Sequence, residues 1–249
     1  MTKNKIYNEN CLDTMAIMQE GFIDLTVTSP PYDNLREYNG YSFDFEAIAR
    51  ELYRVTKIGG VLVWIVGDAT TEGSETGTSF KQALYFMQCG FKLHDTMIYE
   101  KNSSTFPARK NSQRYTQIFE YMFVFSKGKI EGKKLLCDKP NKWAGCKDFS
   151  GKLKNPVPDF SIRNNIWKYT TSFNGVKHPA PFPEELAQDH ILSWSNENDL
   201  VYDPFSGSGT TAKMAMINNR NFLGSEISEE YFLISNNRIQ QSRGLFSAF

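Results

Sequence analysis

The sequence predicts an α/β protein with a doubly wound, mostly parallel sheet, an antiparallel strand at the sheet edge and a small inserted lobe. Three observations lead there. Short runs that are apolar throughout recur along the chain, as the buried strands of a sheet covered on both faces do. Between them lie stretches with apolar residues three and four apart, the spacing of amphipathic helices. The chain has 249 residues and 40% hydrophobic content, enough for one sizeable core.

Residues 11–20 read as a helix and DLTVT (24–28) as the first strand. FDFEAIARELYRVTK then predicts a helix over 44–57, with Phe45, Ile48, Leu52 and Val55 on one face and Gly59-Gly60 to end it. VLVWIV (61–66) is a buried strand, and a helix follows over 79–89. LHDTMIY (93–99) and IFEYMFVF (118–125) are neighbouring strands joined by a stretch rich in Ser, Arg and Lys, which suggests an antiparallel pair at the edge. From 127 to 165 the period is lost, and Lys, Gly and Pro are mixed around isolated aromatics. We therefore expect an inserted, loop-rich lobe over 127–172, with 1–126 and 173–249 forming the main domain. The alternation resumes with a helix over 184–194, the strand LVYDP (200–204), a helix over 211–219, the strand NFLGSE (221–226) and a helix over 229–241.

Composition narrows the setting. No run approaches the ~18 apolar residues of a membrane span, and MTKNKIYNEN has no apolar core of a signal peptide, so a cytoplasmic protein without a membrane partner is expected. Cys11, Cys89, Cys137 and Cys146 form no CxxC pair, which suits reduced thiols, and no metal site is expected. The formal net charge of zero hides an uneven distribution. Residues 100–177 hold 16 Lys and Arg against 6 Asp and Glu, a net +10, and the remainder holds 12 against 22, a net −10. Clustered cations of this kind suit a polyanion, because binding it releases counterions.

Two short words carry chemistry. VTSPPY (27–32) follows an apolar strand and stops it, since two prolines fix φ near −65° and give no ladder donors. It places a hydroxyl, bare carbonyls and an aromatic face together at the end of a strand. Near the C-terminus, LVYDPFSGSGTTAKMAMINN reads as strand, glycine-rich turn and helix. Gly207 to Ala212 fits GxGxxA, and Glu226 follows at the end of the next strand, at about the spacing used to hold a ribose. The turn lacks the Gly-Lys-Ser/Thr of a P-loop.

With both words in place, the chain resembles the S-adenosylmethionine-dependent DNA amino-methyltransferases, in the permuted arrangement with the catalytic motif before the cofactor motif. VTSPPY looks like their catalytic motif and DPFSGSGTT like their cofactor loop. FDFEAIARELYRVTKIGGVLVWIVGD, FEYMFVFSKGK and HPAPFPEELAQDHILSWS are similar to further family segments, so the likeness spans most of the chain outside 127–165. Asn10 stands where the family usually has an acidic residue.

The resemblance implies a Rossmann-like methyltransferase sheet, in which 1–126 and 173–249 hold the catalytic and cofactor sites and 127–172 recognises the DNA target. It implies transfer of a methyl group to the N4 amine of a flipped-out cytosine, with N6 of adenine as the alternative. Ser29, Pro30, Pro31 and Tyr32 would form the catalytic turn. Asp203, Phe205, Gly207, Gly209 and Thr210 would line the methionine side of S-adenosylmethionine, Glu226 would grip the ribose and Asn10 would lie near the adenine. Arg109, Lys110, Arg114, Lys142, Trp143, Lys147 and Arg163 are the candidate DNA contacts. Double-stranded DNA is the expected partner, and a homodimer and a cognate restriction endonuclease are further partners of this class. Two readings from other classes are weighed against this one. An inactive DNA-binding module sits badly with two intact motifs, and a nicotinamide-dependent oxidoreductase explains neither the proline turn nor the basic middle.

Overall fold

A computed structural model of the chain describes residues 1–31, 43–102, 113–145, 150–152, 157–170 and 183–246, with backbone alone for 244–246. The apolar runs become strands of one eight-stranded sheet. In chain order these are β1 (Lys5–Tyr7), β2 (Ile23–Thr28), β3 (Thr56–Val66), β6 (Lys92–Lys101), β7 (Phe119–Ser126), β10 (Ile166–Tyr169), β11 (Leu200–Asp203) and β12 (Asn221–Ser225). Two small antiparallel pairs stand apart, β4 (Thr70–Thr71) with β5 (Ser74–Glu75) and β8 (Lys139–Pro140) with β9 (Phe160–Ser161). The sheet order is β1-β12-β11-β2-β3-β7-β6-β10. Among the described strands of this sheet only β7 is reversed, pairing antiparallel with both β3 and β6.

Alternating side chains of the central strands point to opposite faces, and among the described residues each face is covered by three helices. Leu62, Trp64 and Val66 of β3 pack with α1 (Cys11–Ala16), α2 (Phe45–Val55) and α3 (Thr78–Gln88). Val61, Val63 and Ile65 pack with α4 (Glu184–Trp194), α5 (Thr210–Ile217) and α6 (Glu229–Phe246). In α2 the expected apolar stripe is buried at Ile48, Ala49, Leu52 and Val55, and Asp44 Oδ1 caps the helix by accepting from Ala47 N at 3.0 Å.

Several local expectations are corrected. Gly59-Gly60 does not end α2, which gives way to β3 at Thr56. The pairing of β2 with β3 jumps from Ile23↔Thr56 to Leu25↔Val61, so the glycine pair sits in a bulge, with Gly59 at φ +81°. Helix α1 stops at Ala16 instead of Glu20, and Arg54 of α2 takes up the carbonyls left at and beyond its end, donating to Met15 O at 2.6 Å and Met18 O at 2.8 Å. The antiparallel strand is third from the edge, since β10, placed by sequence inside the lobe, pairs with β6 in parallel through Trp167↔Tyr99. No helix among the described residues is long and apolar enough to cross a membrane.

Candidate active site

The sheet order decides where the two motifs meet. From β11 the chain enters α5 on one face, and from β2 it runs on to α2 on the other. β11 and β2 are parallel neighbours, paired through Tyr202↔Thr26, so their carboxyl ends flank the point where the winding reverses direction. Open α/β sheets bind ligands at this point. VTSPP leaves β2 on one side of it, and the glycine turn leaves β11 on the other.

The two strand ends are bonded to each other. Thr28 Oγ1 donates to Asp203 Oδ1 at 2.6 Å, both side chains being buried. The same oxygen accepts from Phe205 N at 3.0 Å, so the carboxylate also starts the turn. Thr211 Oγ1 donates to Val27 O at 3.2 Å and ties α5 to β2. Burial pushes the Asp203 carboxyl up to about 6, against the hydrogen bonds from Thr28 and Phe205 N, which pull it down.

Glu226 follows β12 and closes the turn from the opposite side. Its Oε2 accepts from Gly207 N at 2.7 Å and its Oε1 from Ser228 N at 2.8 Å. Burial raises its pKa, and those backbone bonds work in the other direction. Asn8 Nδ2 donates to Glu226 O at 2.8 Å, joining the end of β1 to the end of β12. Two residues on, Asn10 caps α1, its Oδ1 accepting from Leu12 N at 2.9 Å. Phe205 is half-buried, its ring edge-on to Phe43 at 5.6 Å and to Trp64 at 6.1 Å, so the aromatic after Asp203 is wedged among core rings.

Ser29 and Pro31 are partly exposed and Pro30 is buried immediately beyond β2, and Tyr32 lies outside the described residues. The structure therefore brings Asn10, Glu226, the turn from Asp203 to Thr210, and Ser29-Pro30-Pro31 to the carboxyl ends of β1, β12, β11 and β2. These four strands are consecutive neighbours in the sheet.

The candidate DNA contacts are not gathered in this way. Arg109, Lys110 and Lys147 lie outside the described residues. Arg114 bonds to Gly73 O and lies 3.7 Å from Glu75. Lys142 and Trp143 are exposed on the turn after β8, Trp143 by 70%. Arg163 is engaged inside the protein. It pairs with Asp138 of the lobe and with Asp189 of α4 at 2.5 Å, and its guanidinium lies 5.1 Å from the ring of Trp167.

Two contributors show no role in the sequence. Thr28 lies within VTSPPY, yet only the pairing of β2 with β11 shows that its hydroxyl reaches Asp203. Arg238 of α6 donates to Ser208 O and Glu184 Oε1, and nothing in its own stretch marks it.

The doubly wound sheet, with its crevice at the strand ends, is the Rossmann-like α/β architecture shared by DNA methyltransferases. The chain belongs to the DNA methylase family of N6 and N4 methyltransferases, whose profile matches residues 23–237. M.BamHII, an orphan methyltransferase of Bacillus amyloliquefaciens, is 58% identical over 238 residues, 88% of this chain and 89% of the relative. The solved PvuII DNA methyltransferase, described as cytosine-N4-specific, superposes with a TM-score of 0.75 at 20% identity, over 99% of this chain and 92% of that one. The Thermus thermophilus protein TTHA0409, solved in complex with S-adenosyl-L-methionine, gives 0.66 at 25% identity over 95% of each chain.

Proposed function

We propose that this chain is a permuted DNA amino-methyltransferase that moves the methyl group of S-adenosylmethionine onto the N4 amine of a cytosine swung out of duplex DNA. One observation carries the reading. Four adjacent parallel strands deliver the catalytic turn, the glycine turn, a second carboxylate and an amide side chain to one crevice at the switch point of the sheet. Asp203 and Glu226 are both buried there, and neither has a Lys or Arg partner among the described residues. Buried carboxylates without a cation fit a ligand that brings positive charge, as the sulfonium and ammonium groups of this cofactor do.

When bound, the cofactor supplies the methyl group as an electrophile. On the protein side, Asp203, Phe205, Gly207, Gly209 and Thr210 line its methionine end, and Glu226 faces the ribose with the lone pairs its backbone bonds leave open. Asn10, whose carbonyl oxygen has a second lone pair beyond the helix cap, accepts from the adenine amine. The acceptor amine is a poor nucleophile because its lone pair is delocalised into the ring. Ser29 Oγ and the Pro30 carbonyl hold its hydrogens and favour a more tetrahedral nitrogen, a positioning and electrostatic task. A stacked base cannot reach such a crevice, so the target leaves the helix and stacks on Tyr32. As the nitrogen–carbon bond forms and the carbon–sulfur bond breaks, the surplus amine proton passes to water.

Ser29 before the proline pair favours cytosine by resemblance. Residues 127–172 serve as the recognition region, where Trp143 and Phe160 are exposed and Lys142 and Lys147 belong to the basic stretch of the sequence, and Arg109, Lys110 and Arg114 serve the phosphates. Arg163 is better read as the tie between this region and α4 than as a base reader, since Asp138 and Asp189 already occupy its guanidinium. The likeness to an orphan methyltransferase supports action without a cognate nuclease. Transfer of tritiated methyl to duplex DNA, with RNA as the control acceptor, tests the reading, and label incorporated only into RNA contradicts it.

A further inference from the structure

The glycine turn is held from behind by contacts that belong to none of the motifs. Gly207 and Gly209 take φ +49° and +79° on either side of Ser208. Glycines on both sides of Ser208 put one permissive residue beside each of its two peptides, so the turn needs an outside constraint to keep one orientation. The amide of Gly209 donates to Ser206 O at 2.7 Å, which fixes one end of the Ser208–Gly209 peptide. The other end, Ser208 O, accepts from Arg238 Nη1 at 2.7 Å, and the same nitrogen lies 2.8 Å from Ser208 Oγ.

Arg238 reaches the turn from α6, three residues after Ser235 and therefore on the same helix face. Ser235 presses on the turn directly, and a Cβ added to Gly209 would lie 2.9 Å from its Cβ. The second nitrogen of Arg238 donates to Glu184 Oε1 at 2.5 Å, and Lys213 Nζ bonds both oxygens of that carboxylate at 2.7 and 2.9 Å. One carboxylate at the start of α4 thus aligns a cation from α5 and a cation from α6. The guanidinium is mostly buried, and its two nitrogens are divided between Glu184 and the turn.

We propose that Arg238 is a positioning residue for the cofactor: it fixes the Ser208 carbonyl and so selects the one orientation of the glycine turn that binds S-adenosylmethionine. The proposal rests on the turn being the cofactor site. Its signature is a change in cofactor KM at nearly constant kcat, since Arg238 acts on the binding turn and stands apart from Ser29.

The test is calorimetric titration of S-adenosylmethionine into the full-length wild type, Arg238→Met and Arg238→Lys, with kcat and KM for transfer to DNA and a thermal melt for each. Met keeps the unbranched apolar stem and removes the fork, and should raise the cofactor Kd and KM about tenfold or more with kcat at saturation within about threefold. Lys keeps a cation without the planar fork and should fall between Met and wild type. If Met does not fold, Lys decides alone: a KM raised about threefold at unchanged kcat supports the assignment, and an unchanged KM overturns it. A Met variant that binds within twofold of wild type overturns it as well, as do Met and Lys variants whose kcat falls in step with their melting temperature. A wild-type protein that binds no S-adenosylmethionine removes the cofactor reading itself, a separate outcome visible before any variant is compared.

Discussion

Replacing Thr28 by Val tests the joint between the two motifs, because it exchanges a hydroxyl for a methyl of equal size at a fully buried position. What is lost is the 2.6 Å bond to Asp203 Oδ1. A hydrogen bond to a charged group contributes roughly 1.5–3 kcal/mol, and a neutral one about 0.5–1.5. The pH therefore sets the size of the loss. The Asp203 carboxyl stands near 6 in the folded protein, above its ordinary value of 3.8, so burial disfavours its ionised form. That penalty is absent below about pH 4, grows as the pH rises through the window between the two values, and is complete above about 6. At pH 7.5 Asp203 is ionised, and Thr28→Val should cost the charged-bond figure. At pH 4.5 Asp203 is mostly protonated in the folded state, and the difference should shrink to about 1 kcal/mol. Urea titrations of both proteins at the two pH values, compared at each pH and with equal m-values, measure it. A difference under about 0.5 kcal/mol at pH 7.5, or one that widens on acidification, would refute the bond and the charge state assigned to Asp203.

Three further outcomes are expected. Ser29→Ala should leave the S-adenosylmethionine Kd within twofold and lower turnover about 10²-fold or more, and a turnover loss below threefold in a labelled-methyl assay would remove its role. Glu226→Ala should weaken cofactor binding by roughly 1.5–3 kcal/mol in calorimetry and also lower the melting temperature, because the same carboxylate holds Gly207 N and Ser228 N. An unchanged Kd beside a lowered melting temperature would leave Glu226 a purely structural brace. Reversing the charges of Arg109, Lys110 and Arg114 together should flatten the salt dependence of DNA binding by about one unit of slope for each phosphate no longer neutralised, with cofactor affinity unmoved. An unaltered slope would place the DNA elsewhere.

The parts of the fold that were legible in the sequence are those whose signal is local. VLVWIV shows its burial on both faces in its own letters, and FDFEAIARELYRV shows its apolar stripe. The three-residue β1 has no such signal. It exists because Lys5 to Tyr7 pair with Leu223 to Ser225 more than two hundred residues away. Likewise IWKY looks like part of an irregular lobe until β6 offers it an edge. The same division runs through the site. Ser29, Asp203, the glycines and Glu226 sit in short words whose spacing carries chemistry, and the sheet order brings those words together. The bond from Thr28 to Asp203 and the hold of Arg238 on Ser208 depend on strand pairing and helix packing, which no window of sequence contains. Arg163 shows the converse. A lone arginine in a basic stretch reads as a DNA contact, and only the fold shows Asp138, Asp189 and Trp167 around it.

The most direct test of the central claim is the identity of the modified nucleoside. DNA from cells lacking other methyltransferases and expressing this chain is digested to nucleosides and analysed by mass spectrometry, beside DNA from cells expressing Ser29→Ala. N4-methylcytosine is expected in the first sample and its near absence in the second. N6-methyladenine in its place would overturn the choice of base, and DNA bearing neither, from cells containing folded protein, would contradict the assignment of this crevice to methyl transfer onto DNA.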